Sequence, residues 1–234
     1  MKLNLSKKIC TKRELKKFIF KTHIRYLDIF IRNRGLFGNN IYDEGKGFSS
    51  KNFFCIQKGY LRGFFANLNY FNPNKMQKTL RKEFELKDKN NIIKRLNDIN
   101  SSVSVSVHIR RGDLLRLSNA YILPKSYYNK AINYIRKKVK NPIFYFFSDD
   151  IEWCKKIFKD VENCVFVGGN SVIEDFELMK NCKHNILANS TLSWWVGYLN
   201  YNKNPMIITP SHFGTFKDEQ RDDLRFKKWI TLDE

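Results

Sequence analysis

From about residue 101 onward, strand-like and helix-like segments alternate along the chain, and this pattern constrains the fold more than any other feature. It begins at 103–109, where apolar and polar residues alternate as in a β-strand. Further strand-like runs lie at 143–147, 165–167, 185–188 and 206–209, and helix-like segments lie between them at 127–139, 152–158, 174–181 and 192–199. Such alternation predicts a parallel, doubly wound α/β sheet.

The first 100 residues follow a less regular pattern. Apolar residues at helical spacing between Thr11 and Phe30, with lysines and arginines between them, predict a basic amphipathic helix. Such a helix can lie on anionic lipid, but the interpretation that it covers a core is favoured. Predicted features then follow in order: a glycine-rich loop at 35–47, a strand at 53–56, the end of the aromatic segment at Pro73 and a charged helical connector at 80–99. We therefore predict an N-terminal region, 1–100, and a C-terminal domain, 101–234.

Charge and composition narrow the classes of partner. The chain has 43 Lys and Arg against 23 Asp and Glu, a formal charge of +20. This excess favours a nucleotide, a nucleic acid or an acidic membrane as partner, although a general bias toward lysine explains it equally well. The five cysteines and four histidines lack the spacing of a metal site, so we expect neither metal nor cofactor. The chain has neither a long apolar run nor the apolar core of a signal peptide, so the expected location is the cytoplasm. Peripheral contact with the inner face of the cytoplasmic membrane is left open.

Polar motifs follow three of the predicted strands. The first is the arginine motif, His108–Asp113, in which two guanidiniums stand where a strand gives way to a loop. A guanidinium is always charged and its planar fork matches phosphate oxygens. Because successive side chains of a strand point to opposite faces, one of Arg110 and Arg111 is expected to clamp a diphosphate, while the other braces the loop with Asp113.

The other two motifs stand at the same kind of position. In the serine-aspartate motif, Ser148–Asp150, one acid is expected to cap the next helix and the other to accept from the donor edge of guanine. In the serine-tryptophan motif, 186–195, hydroxyls and backbone N–H groups at a helix start can bind phosphate, although capping alone would also explain Ser190 or Thr191. Trp194 and Trp195 are expected to pack in the core, with one of them able to line the cleft. If all three strands are parallel, the motifs meet at one edge of the sheet.

Together these motifs resemble the bacterial α-1,2-fucosyltransferases of glycosyltransferase family 11. The arginine motif matches the arginine motif of that family, and the serine-tryptophan motif is similar to its nucleotide-side segment. Segments 59–62, 70–71 and 210–213 and the late Trp229 also look like parts of the family pattern.

The resemblance implies a GT-B-like α/β fold whose C-terminal half is a Rossmann-like nucleotide-sugar domain. It implies GDP-β-L-fucose as donor, a galactose-containing surface glycan as acceptor, and transfer to the 2-hydroxyl with inversion and without metal. The implied catalytic residues are Arg110, Arg111 and Asp113, and the implied donor-binding residues are His108, Ser148, Asp149, Asp150, Asn189, Ser190, Thr191 and Ser193.

The chain departs from the family pattern at its start, where nothing matches the G-G-L-G-N-Q-like segment with which family members open. We therefore expect region 1–100 to be an incomplete N-terminal half, which the resemblance implies is the acceptor side, and region 101–234 to be the GDP-sugar-binding domain. This leaves two alternatives to an active fucosyltransferase: a catalytically dead fragment, or a basic nucleic-acid-binding module. No nucleic-acid reader motif supports the second, so specific nucleic-acid binding is not expected. An inverting transfer should also have a general base, and the sequence assigns no carboxylate to that role.

Overall fold

The computed structural model of the chain describes residues 41–43, 60–62, 68–70 and 72–234. These residues fall into two compact units, a smaller one that ends at residue 76 and a larger one that contains 77–234. The predicted helix between Thr11 and Phe30, its proposed lipid contact and the strand at 53–56 lie outside the described residues. The functions assigned to regions 1–100 and 101–234 stay predictions.

In the smaller unit, strands β1 (Ile41–Asp43) and β2 (Tyr60–Arg62) form a parallel pair. Strand β1 lies inside the segment that the sequence predicted as a loop. A short 3₁₀ helix follows at Leu68–Tyr70.

Pro73 starts a helix instead of ending a structure, so the predicted stop is wrong. Helix α1 runs Pro73–Glu83, and the Asn72 side chain accepts hydrogen bonds from the Asn74 and Lys75 amides, both at 3.1 Å. An asparagine cap followed by proline is a favourable helix start, because proline lacks only an N–H that has no partner in the first turn.

The larger unit is built around a six-stranded parallel sheet with helices between its strands. Its elements are α2 Ile93–Ser101, β3 Ser104–Ile109, α3 Lys125–Lys138, β4 Ile143–Ser148, α4 Ile151–Ile157, β5 Cys164–Val167, α5 Val172–Asn181, β6 His184–Ile186, α6 Thr191–Leu199, β7 Ile207–Pro210 and β8 Ile230–Leu232. The strand order is β5-β4-β3-β6-β7-β8, and every pairing is parallel. The predicted doubly wound α/β sheet is confirmed, and its order is that of a Rossmann-like domain.

The charged segment 80–99 is not one continuous helix. After α1 ends, the Phe84 carbonyl accepts from the Nζ of Lys180 at 2.8 Å, and the Leu86 amide donates to the Glu177 carboxylate at 3.3 Å. Lys180 and Glu177 are both buried and form an ion pair at 2.8 Å. Backbone groups bound to these α5 side chains cannot continue a helix, so the chain is irregular here before it re-enters a 3₁₀ turn and α2.

The two faces of the sheet are covered differently. Val105, Val107 and Ile109 face an apolar core formed with α3 and α4. The polar residues that alternate with them are buried as well, on the other face. There Ser104 donates to the Ile99 carbonyl at 2.9 Å, and Ser106 accepts from the Asn185 amide at 2.6 Å. Hydrogen bonding therefore allows the polar side of β3 to be buried.

In the described part of the chain, no helix is both long and apolar enough to cross a membrane.

Candidate functional site

The arginine and serine-tryptophan motifs lie at the point where the strand order of the sheet reverses. Strands β3 and β6 are neighbours there, with Val107 opposite Ile186. Strand β4 pairs with β3 on its other side, with Ile109 opposite Ser148. In open α/β sheets, ligands bind beyond the carboxyl ends of the strands at this reversal. All three motifs therefore stand at one edge of the sheet.

Asp149 joins the serine-aspartate motif to the arginine motif. One oxygen of its carboxylate accepts from the backbone amides of Arg111, at 3.0 Å, and Gly112, at 2.9 Å. The other oxygen accepts from the Arg110 guanidinium, which also donates to Asp113. A Cβ at Gly112 would lie 3.0 Å from the Asp149 Cγ, so glycine allows this close approach. Asp149 thus holds the arginine loop at the edge of the sheet.

Arg111 lies against α4. Its Nε donates to the Asp150 carboxylate at 3.1 Å, and its Cζ is 4.3 Å from the centre of the Trp153 ring. Asp150 also caps α4 by accepting from the Trp153 amide at 3.3 Å, and its own amide donates to Ser148 Oγ at 3.0 Å. Asp150 is therefore the capping acid, and the guanine contact predicted for the other acid stays a prediction.

The two arginines have different partners. Asp150 and Trp153, the partners of Arg111, belong to α4, which packs on the apolar core face. Arg110 follows the end of β3, and burial and the Arg110 charge lower the pKa of His108 while the Asp149 charge raises it. The expectation that at most one of them follows the strand into the cleft stays a prediction. Asp113 pairs with Arg110, so Arg110 is the arginine that braces the loop with Asp113, and the identity of the arginine that clamps the diphosphate stays a prediction.

A buried hydrogen bond joins the arginine motif to the serine-tryptophan motif. His108 Nδ1 bonds to Ser193 Oγ, and Ser193 Oγ also accepts from the Ala188 amide at 2.9 Å. A serine hydroxyl can donate one bond and accept two, so the tautomer of His108 determines which of the two atoms donates in this bond. Burial lowers the pKa of His108 to about 4, so the ring is neutral near pH 7. His108 is thus a neutral, buried imidazole held by Ser193 at the end of β3.

The first residues of the serine-tryptophan motif divide into two groups. Ser190 is the N-cap residue of α6 but makes no capping bond with its side chain, and Thr191 is exposed. The first amides of a helix have no partner within the helix, so this end of α6 offers donors to an anion. The carboxamide of Asn189, by contrast, is buried and donates to the carbonyls of Tyr121 and Gly214 at 2.9 and 2.8 Å.

The tryptophans pack as expected. Trp194 is buried, donates to the Leu224 carbonyl at 2.6 Å and stacks on Tyr198. Trp195 is half-buried and stacks on Phe84, with ring centres 5.3 Å apart.

Two features of this edge had no signal in the sequence. One is the role of Asp149 in holding the arginine loop, because its partners lie 37 to 39 residues away along the chain. The other is a pair of loops bound by Asn189, since loops without a periodic pattern reveal no partner. Among the described residues, no group of three His, Cys, Asp or Glu side chains could hold a metal ion.

Comparison with known proteins gives consistent matches. The sequence model of Glycosyl transferase family 11 matches residues 22–233. An alpha-1,2-colitosyltransferase of Escherichia coli is 36% identical over 180 residues, covering 73% of this chain and 61% of the relative. The O-antigen biosynthesis glycosyltransferase WbnK of Escherichia coli is 36% identical over 137 residues, covering 55% of this chain and 44% of the relative.

A mammalian relative, the galactoside 2-alpha-L-fucosyltransferase SEC1 of Bos taurus, is 31% identical over 113 residues, covering 45% of this chain and 31% of the relative. The chain therefore spans less than two thirds of the length of each of these curated relatives. The family match covers most of the chain and confirms the resemblance carried by the three motifs. The chain belongs to glycosyltransferase family 11.

Proposed function

We propose that the chain transfers an L-fucosyl group from GDP-β-L-fucose to the 2-hydroxyl of a galactoside acceptor in a surface glycan, with inversion. Family membership supports glycosyl transfer, and one relative is a galactoside 2-alpha-L-fucosyltransferase. The observation that carries the proposal is the meeting of the three motifs at the sheet reversal, through the His108–Ser193 and Arg110–Asp149 bonds. Family membership does not favour the nucleic-acid-binding alternative.

Arg110 is the proposed ligand of the donor diphosphate. It lies two residues after His108, and Ser193, the partner of His108, lies in the first turn of α6. Its side chain is one-third exposed while Asp149 and Asp113 hold its guanidinium in place. A planar guanidinium fixed in this way is oriented before the phosphate arrives.

The start of α6 is the proposed second ligand of the diphosphate. The hydroxyls of Ser190 and Thr191 make no hydrogen bond to the described side chains, and the first amides of α6 carry the positive end of the helix dipole.

The chemistry asked of these groups is stabilisation of the leaving group. In the transfer, the acceptor 2-oxygen bonds to the fucose C1 while the bond from C1 to the β-phosphate oxygen breaks, and the acceptor proton passes to a base. Negative charge grows on the departing GDP, and a fixed guanidinium next to it lowers the barrier. Removing one such donor costs enzymes roughly 10²–10³ in turnover.

A colitosyl donor is the second candidate. It is favoured by the 36% identity to an alpha-1,2-colitosyltransferase over 73% of this chain. The two candidates share the diphosphate site and differ in the sugar, so parallel assays with GDP-fucose and GDP-colitose separate them. Turnover of GDP-colitose alone would overturn the fucosyl assignment and leave the diphosphate site unchanged.

The test compares Arg110→Lys with Arg111→Lys as its matched control. A lysine ammonium cannot bind phosphate through two parallel N–H groups, so Arg110→Lys should lose about 10²-fold in GDP-fucose turnover. Arg111→Lys should lose less, because the guanidinium of Arg111 is bound to Asp150 and lies over Trp153. Near-normal turnover in Arg110→Lys would refute its role. Calorimetry that finds no GDP affinity in the unmodified chain would refute the proposed function as a whole.

A further inference from the structure

Two loops meet at the carboxyl edge of the sheet, one from the segment after β3 and one from the segment after β7. We call them the paired loops, residues 119–121 and 214–217. An antiparallel bridge between Ala120 and Phe216 lies at their centre. Two backbone hydrogen bonds join them, from the Tyr121 amide to the Thr215 carbonyl at 2.8 Å and from the Lys217 amide to the Asn119 carbonyl at 3.1 Å. The paired loops therefore form one small structural unit.

The order of the strands places this unit at the carboxyl end of β6. Strand β6 lies between β3 and β7, so the loops that leave these two neighbours meet across its carboxyl end. Asn189 follows β6 by three residues, and its Nδ2 donates to the carbonyl of Tyr121 in one loop and to that of Gly214 in the other. A single carboxamide thus uses both of its hydrogens to hold both loops.

The chemistry of this contact requires an amide. Asn189 is 5% exposed, and its two acceptors are backbone carbonyls that would otherwise lose these bonds. An aspartate of the same shape has no N–H to donate and would place negative charge against both carbonyls. The Oδ1 of Asn189 is buried without a partner among the described residues. Within that part of the chain, the side chain of Asn189 therefore forms hydrogen bonds only through its amide nitrogen.

The turn after Gly214 makes the second loop stiff. A Cβ at Gly214 would lie 2.1 Å from the Glu219 carbonyl oxygen, so only glycine fits there. The Thr215 amide also donates to the Glu219 carboxylate at 2.9 Å. A loop fixed in this way can act as a wall once its position is set.

We infer that Asn189 is a positioning residue, which sets the paired loops as a wall of the donor site beside the start of α6. This inference rests on the proposed function and deepens it, because it gives Asn189 an action through the loops in place of the direct donor contact expected from the sequence. Ser190 and Thr191, the next residues along the chain, form the proposed phosphate-binding start of α6. A shift of Asn189 therefore moves the loops relative to that site.

The experiment compares Asn189→Asp with Asn200→Asp. Asn200 is a matched control, because it is also a buried asparagine whose Nδ2 donates twice, to the Cys182 carbonyl at 2.8 Å and to Asn185 Oδ1 at 2.6 Å. It lies after α6, and Cys182 precedes β6, so it holds the opposite edge of the sheet. Asn189→Ser, which keeps one donor, serves if Asn189→Asp does not fold.

Two readouts are measured, the hydrogen exchange of the Tyr121 and Lys217 amides and the affinity for GDP by calorimetry. Losing two hydrogen bonds of about 1 kcal/mol each should speed exchange at both amides by roughly tenfold or more. The affinity for GDP should fall by about tenfold. Asn200→Asp should leave both readouts near those of the unmodified chain.

The possible outcomes separate the two claims. Unchanged exchange in the Asn189 variant would overturn the claim that Asn189 holds the paired loops in place. Faster exchange with unchanged GDP affinity would overturn the claim that the paired loops form a wall of the donor site, while leaving the proposed function intact. Equal losses of GDP affinity in the Asn189 and Asn200 variants would show a general structural effect and overturn the positioning role. An unmodified chain that does not bind GDP would overturn the proposed function, and the wall inference with it.

Discussion

The hydrogen bond between His108 and Ser193 should contribute to stability as well as to the site, and Ser193→Ala measures this contribution. The substitution leaves the Ala188 amide without its acceptor and His108 Nδ1 without its partner, in a region where both Ser193 and His108 are buried. A buried polar group without a partner costs about 1–3 kcal/mol, so the expected loss is about 3 kcal/mol in the free energy of unfolding. The variant should keep its fold with a lower urea midpoint.

The assay is urea unfolding followed by tryptophan fluorescence. All four tryptophans, Trp153, Trp194, Trp195 and Trp229, belong to the larger unit, so the signal reports on that unit. Ser190→Ala is the control: its hydroxyl makes no capping bond, and its stability should stay within about 0.5 kcal/mol of the unmodified chain, as for most substitutions without a lost contact. A Ser193→Ala variant as stable as Ser190→Ala would refute the reasoning, because the hydrogen bonds of Ser193 would then contribute nothing to the free energy of unfolding.

Two further predictions concern buried ionisable groups. The pKa of His108 is about 4 in the folded chain against 6.5 for an exposed histidine, so acidification from pH 6.5 to 4 protonates the unfolded chain first. Up to about 3 kcal/mol of stability should be lost across that window, and His108→Gln should lack this component when urea midpoints are compared at several pH values. Lys180→Met should destabilise by about 3 kcal/mol, because it leaves the buried Glu177 carboxylate with only Lys89 as an ionic partner, at 3.2 Å, among the described residues. Adding Glu177→Leu should restore most of that loss, and a double variant no more stable than Lys180→Met would contradict the explanation.

The fold of the larger unit was predictable where local pattern and tertiary environment agree. Strand β3 has β-branched residues at every second position, and the capping box of α5, Ser171 with Glu174, marks a helix start directly. The pattern was insufficient at β8, which has three residues and is a strand only because it pairs with β7. It was misleading at Pro73, where the same residue that stops a strand also starts a helix.

For the site, the sequence predicted the location better than the roles. Parallel strands place the residues that follow them at one edge, so the meeting of the three motifs followed from the fold alone. The division of roles did not follow, since it depends on contacts far apart in the chain. Asp149 and Asp150 are adjacent in sequence, yet the first holds the arginine loop and the second caps α4. Asn189 binds carbonyls 68 and 25 residues away, and no local pattern encodes such partners.

The ion pairs at the arginine loop also affect how this protein meets polyanions. The whole chain carries +20, but the loop and the residues after β4 combine two guanidiniums with three carboxylates, Asp113, Asp149 and Asp150. The sum over these five side chains is therefore slightly negative, and the positive excess of the chain comes from other residues. These five groups therefore contribute little attraction of their own to a phosphate chain, and their field is screened within about 10 Å at 0.1 M salt. Selection of a ligand there depends on short-range fit, which should leave its binding only weakly sensitive to ionic strength.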